Sequence, residues 1–307
     1  GHIEGGRCAQ AGLLATQAIR GGANREVLKR IKATGDIFWA VSDKPWILNG
    51  ANVHVSMVGF HRHSSGPTVL DGVTVTGINA NLSTSDTDVT TSQQLQDNAG
   101  ISFMGVTPAG TFDVADAVGR ALLSQPTPTG QPNSDVVRPY LNGKDLNQRP
   151  RNQWTIDFGV DRGLGEVAAY EGPFAHVQQV VRPERECNNR QSYRSYWWRY
   201  AESRPAMRAA FSRSDRYLAT CMVAKHRIFT WLPCVAVPAN VVIVFARSDD
   251  YFFGVLHSRL HEVWALAQGT QLREKESGFR YTPTTCFETF PFPQPTPDQE
   301  QAIAGAA

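Results

Sequence analysis

Residues 11–60 set the terms for the fold. "AGLLATQAIRGG" (11–22) reads as a buried strand ending in a glycine-rich turn, and "ANREVLKRIKATG" after it puts Val27, Leu28 and Ile31 at helical spacing before a closing glycine. "DIFWAV" is a second strand. "NVHVSMVGF" is a third, with His54 and Ser56 alternating against Val53, Val55 and Met57. Strand, helix and then a strand pair predict the tail of an open α/β sheet. Such a sheet needs more strands to cover its faces, so the chain is expected to be a fragment whose earlier strands lie upstream.

Between the second and third strands stands Asp43-Lys44-Pro45-Trp46. It is one residue away from Asn/Asp/Ser-Pro-Pro-aromatic, the signature of enzymes that methylate exocyclic amino groups of bases. There the polar side chain and a carbonyl accept the amine's hydrogens while the ring stacks on the flipped base. Lys44 would instead bring a donor to a spot that needs acceptors. The dipeptide Pro-Pro occurs nowhere in the 307 residues. The tetrapeptide is therefore read as a turn between strands, and no catalytic residue is expected.

Downstream, residues 66–132 are rich in Thr, Ser, Asn, Gly and Pro and read as a crossing segment with little core of its own. "NSDVVRPYLNGKDL" and "NQWTIDFG" read as strands around an Asn-Gly turn. Residues 187–217 look helical, with Tyr193, Tyr196, Trp197 and Tyr200 on one face, better suited to core packing than to base stacking. "VLHSRLHEVWALAQG" is expected to be one helix closed by Gly269, and "RYTPTTCFETFPFPQP" a proline-broken extended path.

Charge is distributed unevenly. The net charge is only +2, yet residues 181–231 hold ten Arg and one Lys against four acids. A basic block inside an otherwise mildly acidic chain is the footprint of a polyanion-binding face. The run Arg182, Arg185, Arg190, Arg194, Arg199, Arg204, Arg208, Arg213 and Arg216 is accordingly the candidate phosphate contact, because the guanidinium fork binds two oxygens at once. The plainer alternative is a solvated face paired internally with Glu184, Glu186, Glu202 and Asp215. The longest apolar run, Val241–Ala246, is far short of the roughly 18 residues a membrane span needs. Five scattered cysteines with no Cys-x-x-Cys pair argue against a disulfide framework or a structural zinc site, and a cytoplasmic location is expected.

Several of these strings, taken in order, resemble the MmeI-like single-chain DNA adenine methyltransferases of type II restriction-modification systems. They are "AGLLATQAIRGG", "IFWAVSDKPW…GANVHVSMVGF", "NSDVVRPYLNG", "FGVLHSRLHEVW" and "RYTPTTCFETFPFP". The resemblance implies a partial Rossmann-like methyltransferase α/β sheet followed by a mixed α+β target-recognition domain. The implied organisation is the end of a class I methyltransferase domain in residues 1–82, a connecting segment in 83–132, DNA target recognition in 133–293 and a tail in 294–307. It implies double-stranded DNA as partner, a missing N-terminal methyltransferase half, and S-adenosylmethionine as cofactor of the full-length parent but not of this chain, which alone should be inactive. Within the basic run Arg190, Arg194, Arg199, Arg204 and Arg208 are the leading phosphate candidates, and the resemblance implies Lys225, His226 and Arg227 in "VAKHRIFTW" for base edges.

Two other classes remain open. A complete hydrolase could use His257, His261 and Glu262, or Asp43. The zinc-protease pattern, however, needs the glutamate directly after the first histidine, where Ser258 stands. A protein-interaction subunit could present the basic face to an acidic partner.

Overall fold

A computed structural model of the chain describes residues 8–48, 51–62, 66–84, 92–128, 130–212, 214–271 and 278–307. Two compact units interleave in sequence. The first comprises the chain up to Asp97 together with Val223–His226 and Ser258–Phe292, the second Asn98–Met222, Arg227–His257 and Pro293–Ala307. The consecutive blocks expected from the sequence do not trace this division.

In chain order the first unit opens with β1 (Gln10–Thr16), α1 (Glu26–Thr34), β2 (Asp36–Leu48), β3 (Ala51–His61), β4 (Thr68–Leu70) and β5 (Val73–Val75). The second unit follows with β6 (Ser102–Met104), β7 (Asp113–Val114), α2 (Asp116–Ser124), β8 (Val137–Leu141), α3 (Gly143–Asn147) and β9 (Gln153–Ile156). It continues through α4 (Leu164–Ala168), α5 (Glu171–Glu186), α6 (Gln191–Ser195), α7 (Pro205–Phe211) and β10 (Arg216–Cys221). β11 (Val223–Ala224) returns to the first unit, and β12 (Phe229–Pro233), β13 (Val237–Pro238), β14 (Val242–Phe245) and α8 (Asp250–His257) to the second. α9 (Arg259–Gln268), β15 (Thr270–Gln271) and β16 (Phe279–Arg280) complete the first, and α10 (Pro297–Ala306) the second.

The main sheet of the first unit has the order β1-β3-β2-β4-β5. β1 and β2 each run antiparallel to β3, so they are parallel to one another and joined through α1. Leu28, Ile37, Ala40, Val58 and Ile78 form its core, and a fully buried leucine such as Leu28 contributes about 2 kcal/mol by leaving water. β1 is not the buried strand expected. Leu13 and Ala15 pack against the core while Leu14 is 54% exposed, the alternation of a strand covered on one face.

Asp43 to Trp46 also departs from expectation, because all four residues lie inside β2, with Lys44, Pro45 and Trp46 paired to Val55, His54 and Val53. β4 covers β2 only at Trp39 and Ala40, and a proline is tolerated where one edge of a strand has no neighbour. The register shifts between Val41 and Lys44. The groups this bulge takes off the ladder find other partners. The Ser42 N–H and hydroxyl donate to Asp71 (2.7 Å each), Ser56 donates to the Ser42 carbonyl (2.7 Å), and Asp43 holds His54 Nδ1 at 2.6 Å. A smaller sheet, β11-β16-β15, depends on Gly278 at φ +83°, where a Cβ would stand 2.1 Å from the Ala224 carbonyl oxygen.

The second unit stacks its core between an antiparallel sheet, β12-β10-β14-β6, and a mixed one, β13-β8-β9-β7. The segment expected to lack a core supplies β6 and β7 to these sheets and buries Val106, Phe112, Val114 and Leu122. Asn142 is no hairpin turn. Its side chain accepts from the Lys144 N–H and Asp145 answers to the Asn142 N–H, so the pair opens α3 as a capping box. The long helix expected over 187–217 is two short ones, α6 and α7, and Trp197, Trp198 and Tyr200 between them are core residues. Likewise α8 and α9 replace one helix: Ser258 adopts an extended backbone and caps His261. The expected extended path near the C-terminus contains one π-helical turn, Pro283–Phe287, which buries Cys286 and Phe287.

Candidate nucleic-acid interface

α5 ends at Glu186, and the Asn188 side chain accepts from the Arg190 N–H to turn the chain into α6. This places three arginines among tyrosines. Arg190 donates to the Tyr193 hydroxyl at 2.9 Å and lies over its ring, while Arg194 donates to the Asn188 carbonyl at 2.5 Å and to Gln191 Oε1 at 2.6 Å. Arg199 donates to the carbonyls of Arg162 (2.9 Å) and Asp161 (3.3 Å) and stacks on Tyr196 and Trp198. Among the described residues none of the three makes an ion pair with a carboxylate. Carbonyls and rings fix the direction of a guanidinium without cancelling its charge. A cleft of about 180 Å3 beside them is lined by Arg185, Tyr193, Tyr196, Arg199 and Tyr200.

The other arginines of the run are spent differently. Arg182 pairs with Glu186 (2.7 Å), Arg204 with Glu202, Arg208 with Asp157 (2.8 Å) and Arg216 with Asp250 (2.8 Å). Arg185 is 1% exposed and donates to the carbonyls of Pro108 (2.5 Å) and Arg199 (3.2 Å), and burial pulls its pKa below the usual guanidinium value. Arg213 lies outside the described residues. Of the eight described arginines of the run, four face carboxylates, Arg185 is buried, and Arg190, Arg194 and Arg199 remain as the cluster with no carboxylate partner.

For the base-reading candidates, Lys225 and His226 are exposed in the first unit, and Lys225 lines a cavity there. Arg227 belongs to the second unit, where its guanidinium turns back on β10 and donates to the Cys221 carbonyl and to the Thr220 hydroxyl. Of the hydrolase candidates, His257 Nε2 accepts from the Phe229 N–H at 3.2 Å and burial lowers its pKa. His261 is fully buried against the Tyr281 hydroxyl (3.1 Å), and Asp43 holds His54. Each of these groups has a structural partner.

Sequence reasoning missed Gln17, Arg20 and Asn81 of the first unit, which line the same cavity as Lys225. Gln17 and Arg20 sit in "AGLLATQAIRGG", a strand-and-turn pattern that reads as scaffold, and nothing in its spacing marks them as ligand contacts.

Comparison with solved structures identifies the architecture first. The fold is similar to part of a solved structure, that of the type IIL restriction-modification enzyme MmeI in complex with DNA, with a TM-score of 0.76 at 19% identity over 99% of this chain and 42% of that chain. Within that fold, residues 173–294 match the family described as MmeI, target recognition domain. The resemblance to MmeI-like enzymes is therefore borne out. The type IIG restriction endonuclease BpuSI superposes at a TM-score of only 0.34 with 9% identity, over 97% of this chain and 42% of that chain, too low to carry an argument. Comparison with curated proteins gives no match. The chain spans less than half the length of the MmeI chain.

Proposed function

We propose that this chain is the double-stranded-DNA reading module of a site-specific DNA adenine-N6 methyltransferase or type II restriction-modification enzyme. The observation that carries this reading is the coincidence of the target-recognition match with a cluster of arginines that face no carboxylate among the described residues, Arg190, Arg194 and Arg199. These three contact phosphates and supply affinity and its salt dependence, while Lys225, His226 and Arg227 supply contacts to base edges. Arg204 and Arg208, paired with Glu202 and Asp157, position the backbone rather than meet DNA.

Residues 1–82 are read as the closing strands of an S-adenosylmethionine-dependent sheet, supported by the β1–α1–β2 crossover with β3 between its strands. The catalytic and cofactor motifs belong to a methyltransferase half outside this sequence. The chain alone does not transfer methyl groups, and labelled S-adenosylmethionine incubated with it and DNA should yield no labelled DNA.

The deciding experiment is binding to duplex DNA across a salt series. Affinity should fall with a log-log slope of several, one unit of roughly 0.9 for each phosphate neutralised. Absence of binding at low salt, or binding indifferent to salt, would overturn the reading.

A further inference from the structure

The first unit contains a cavity of about 490 Å3 with an unusual distribution of polar groups. Three cationic side chains, Arg20, Arg25 and Lys225, line it, and no Asp or Glu is among its described walls. The Arg20 guanidinium makes no hydrogen bond among the described residues. Asp43 and Asp71 attract it from farther away, but Asp43 holds His54 and Asp71 accepts from Ser42, and burial still leaves the Arg20 pKa below its usual value. Arg25 is anchored through its Nε to the Arg20 carbonyl at 2.6 Å. Lys225 is exposed and has no partner among the described residues. Asn81 receives the Ser83 hydroxyl on Oδ1 at 2.6 Å, which leaves its amino group as a donor.

The telling residue is Gln17. It is 5% exposed, and neither its Oε1 nor its Nε2 has a hydrogen-bond partner. Buried amides are almost always satisfied, and one that is not, in the wall of a cavity, awaits a donor and an acceptor from whatever enters. Both atoms are shielded from solvent, so a ligand meets them once the Gln17 side chain turns into the cavity, where a flat amide with one donor and one acceptor matches the edge of a base, as glutamine matches adenine N6 and N7. Leu266 and Phe279 add an apolar wall on which a ring or sugar can rest.

We propose that this cavity binds a single nucleotide, with its phosphate on Arg20 and Lys225 and its base edge on Gln17. The cavity falls within the range of about 300–1,000 Å3 typical of small-ligand sites. The nucleotide can be free or one residue of a nucleic-acid strand; the chemistry is the same. The inference stands on the first unit alone and does not need the duplex-binding role of the second unit's arginines.

The test is calorimetric titration of the full 307-residue chain with dAMP, inorganic phosphate and a short single-stranded oligonucleotide, alongside thermal unfolding. dAMP or the oligonucleotide should bind with one site per chain, and inorganic phosphate more weakly. A response to the oligonucleotide but not to dAMP assigns the site to a strand. Arg20→Gln should weaken binding about tenfold or more, since a charged donor to phosphate is lost. Gln17→Leu is the more discriminating variant. Replacing an unpartnered buried amide by an apolar group of similar size should hold or raise Tm while still weakening dAMP or oligonucleotide binding. No heat with either nucleotide ligand, a response to inorganic phosphate alone, or affinities unchanged in both variants would overturn the proposal. Salt-dependent duplex binding is read separately, so either hypothesis can fail while the other survives.

Discussion

Two stretches of the second unit carry arginine at similar density and use it in opposite ways. From Arg204 to Arg216 the described arginines face carboxylates: Arg204 meets Glu202, Arg208 meets the 2%-exposed Asp157 side chain, and Arg216 meets Asp250. From Arg190 to Arg199 they face carbonyl oxygens and aromatic rings. The difference teaches that a count of basic residues is not a potential. A guanidinium beside a carboxylate adds almost nothing to the field at a distance, whereas one held by a carbonyl or a ring projects its full charge into solvent.

Substitutions in the two stretches should therefore act on different properties, stability in one and DNA affinity in the other. The largest effect is expected for Arg208→Ala, which strands the buried Asp157 charge and should cost about 3–5 kcal/mol in urea unfolding. A loss below about 1 kcal/mol would mean that the two stretches do not differ as described. Next comes the double reversal Arg190→Glu with Arg194→Glu. It should lower the salt slope of duplex binding by roughly 2, weaken all sequences alike, and leave stability within about 0.5 kcal/mol. Loss of stability rather than affinity would move these two into the structural group. The smallest effect belongs to Arg182→Ala. Its pair with Glu186 is exposed on both sides and spaced one helical turn apart, so unfolding should shift by no more than about 1 kcal/mol. A larger shift would implicate instead the stacking of Arg182 on Trp197.

How much of this was legible beforehand differs element by element. The order strand, helix, strand, strand in residues 10–61 follows from periodicity, because apolar spacing reflects which face must leave water. The interior position of Trp197 and Tyr200 was anticipated, although on a helix that does not exist there. Asp43-Lys44-Pro45-Trp46 reads as a turn since proline and aspartate are turn residues by local preference, while an open strand edge and a bulge tied to Asp71 outweigh that preference. The thinly apolar segment before residue 132 reads as a connector because so few of its residues are large and apolar, yet Phe112 and Val106 are wholly buried.

Sequence by itself determined that the chain is a mixed α/β protein, that its positive charge gathers in residues 181–231, and that no Asn-Pro-Pro-aromatic loop is present. These are properties of composition and spacing, which survive without coordinates. Only the tertiary structure decided which arginines face a carboxylate and which buried amide lacks a partner. Both depend on contacts such as Arg208 with Asp157, 51 positions apart along the chain, or Arg199 with the Arg162 carbonyl, 37 apart. A one-dimensional pattern records neighbours within a turn of helix or a step of strand, and pairings across such separations are set by how the sheets and helices pack.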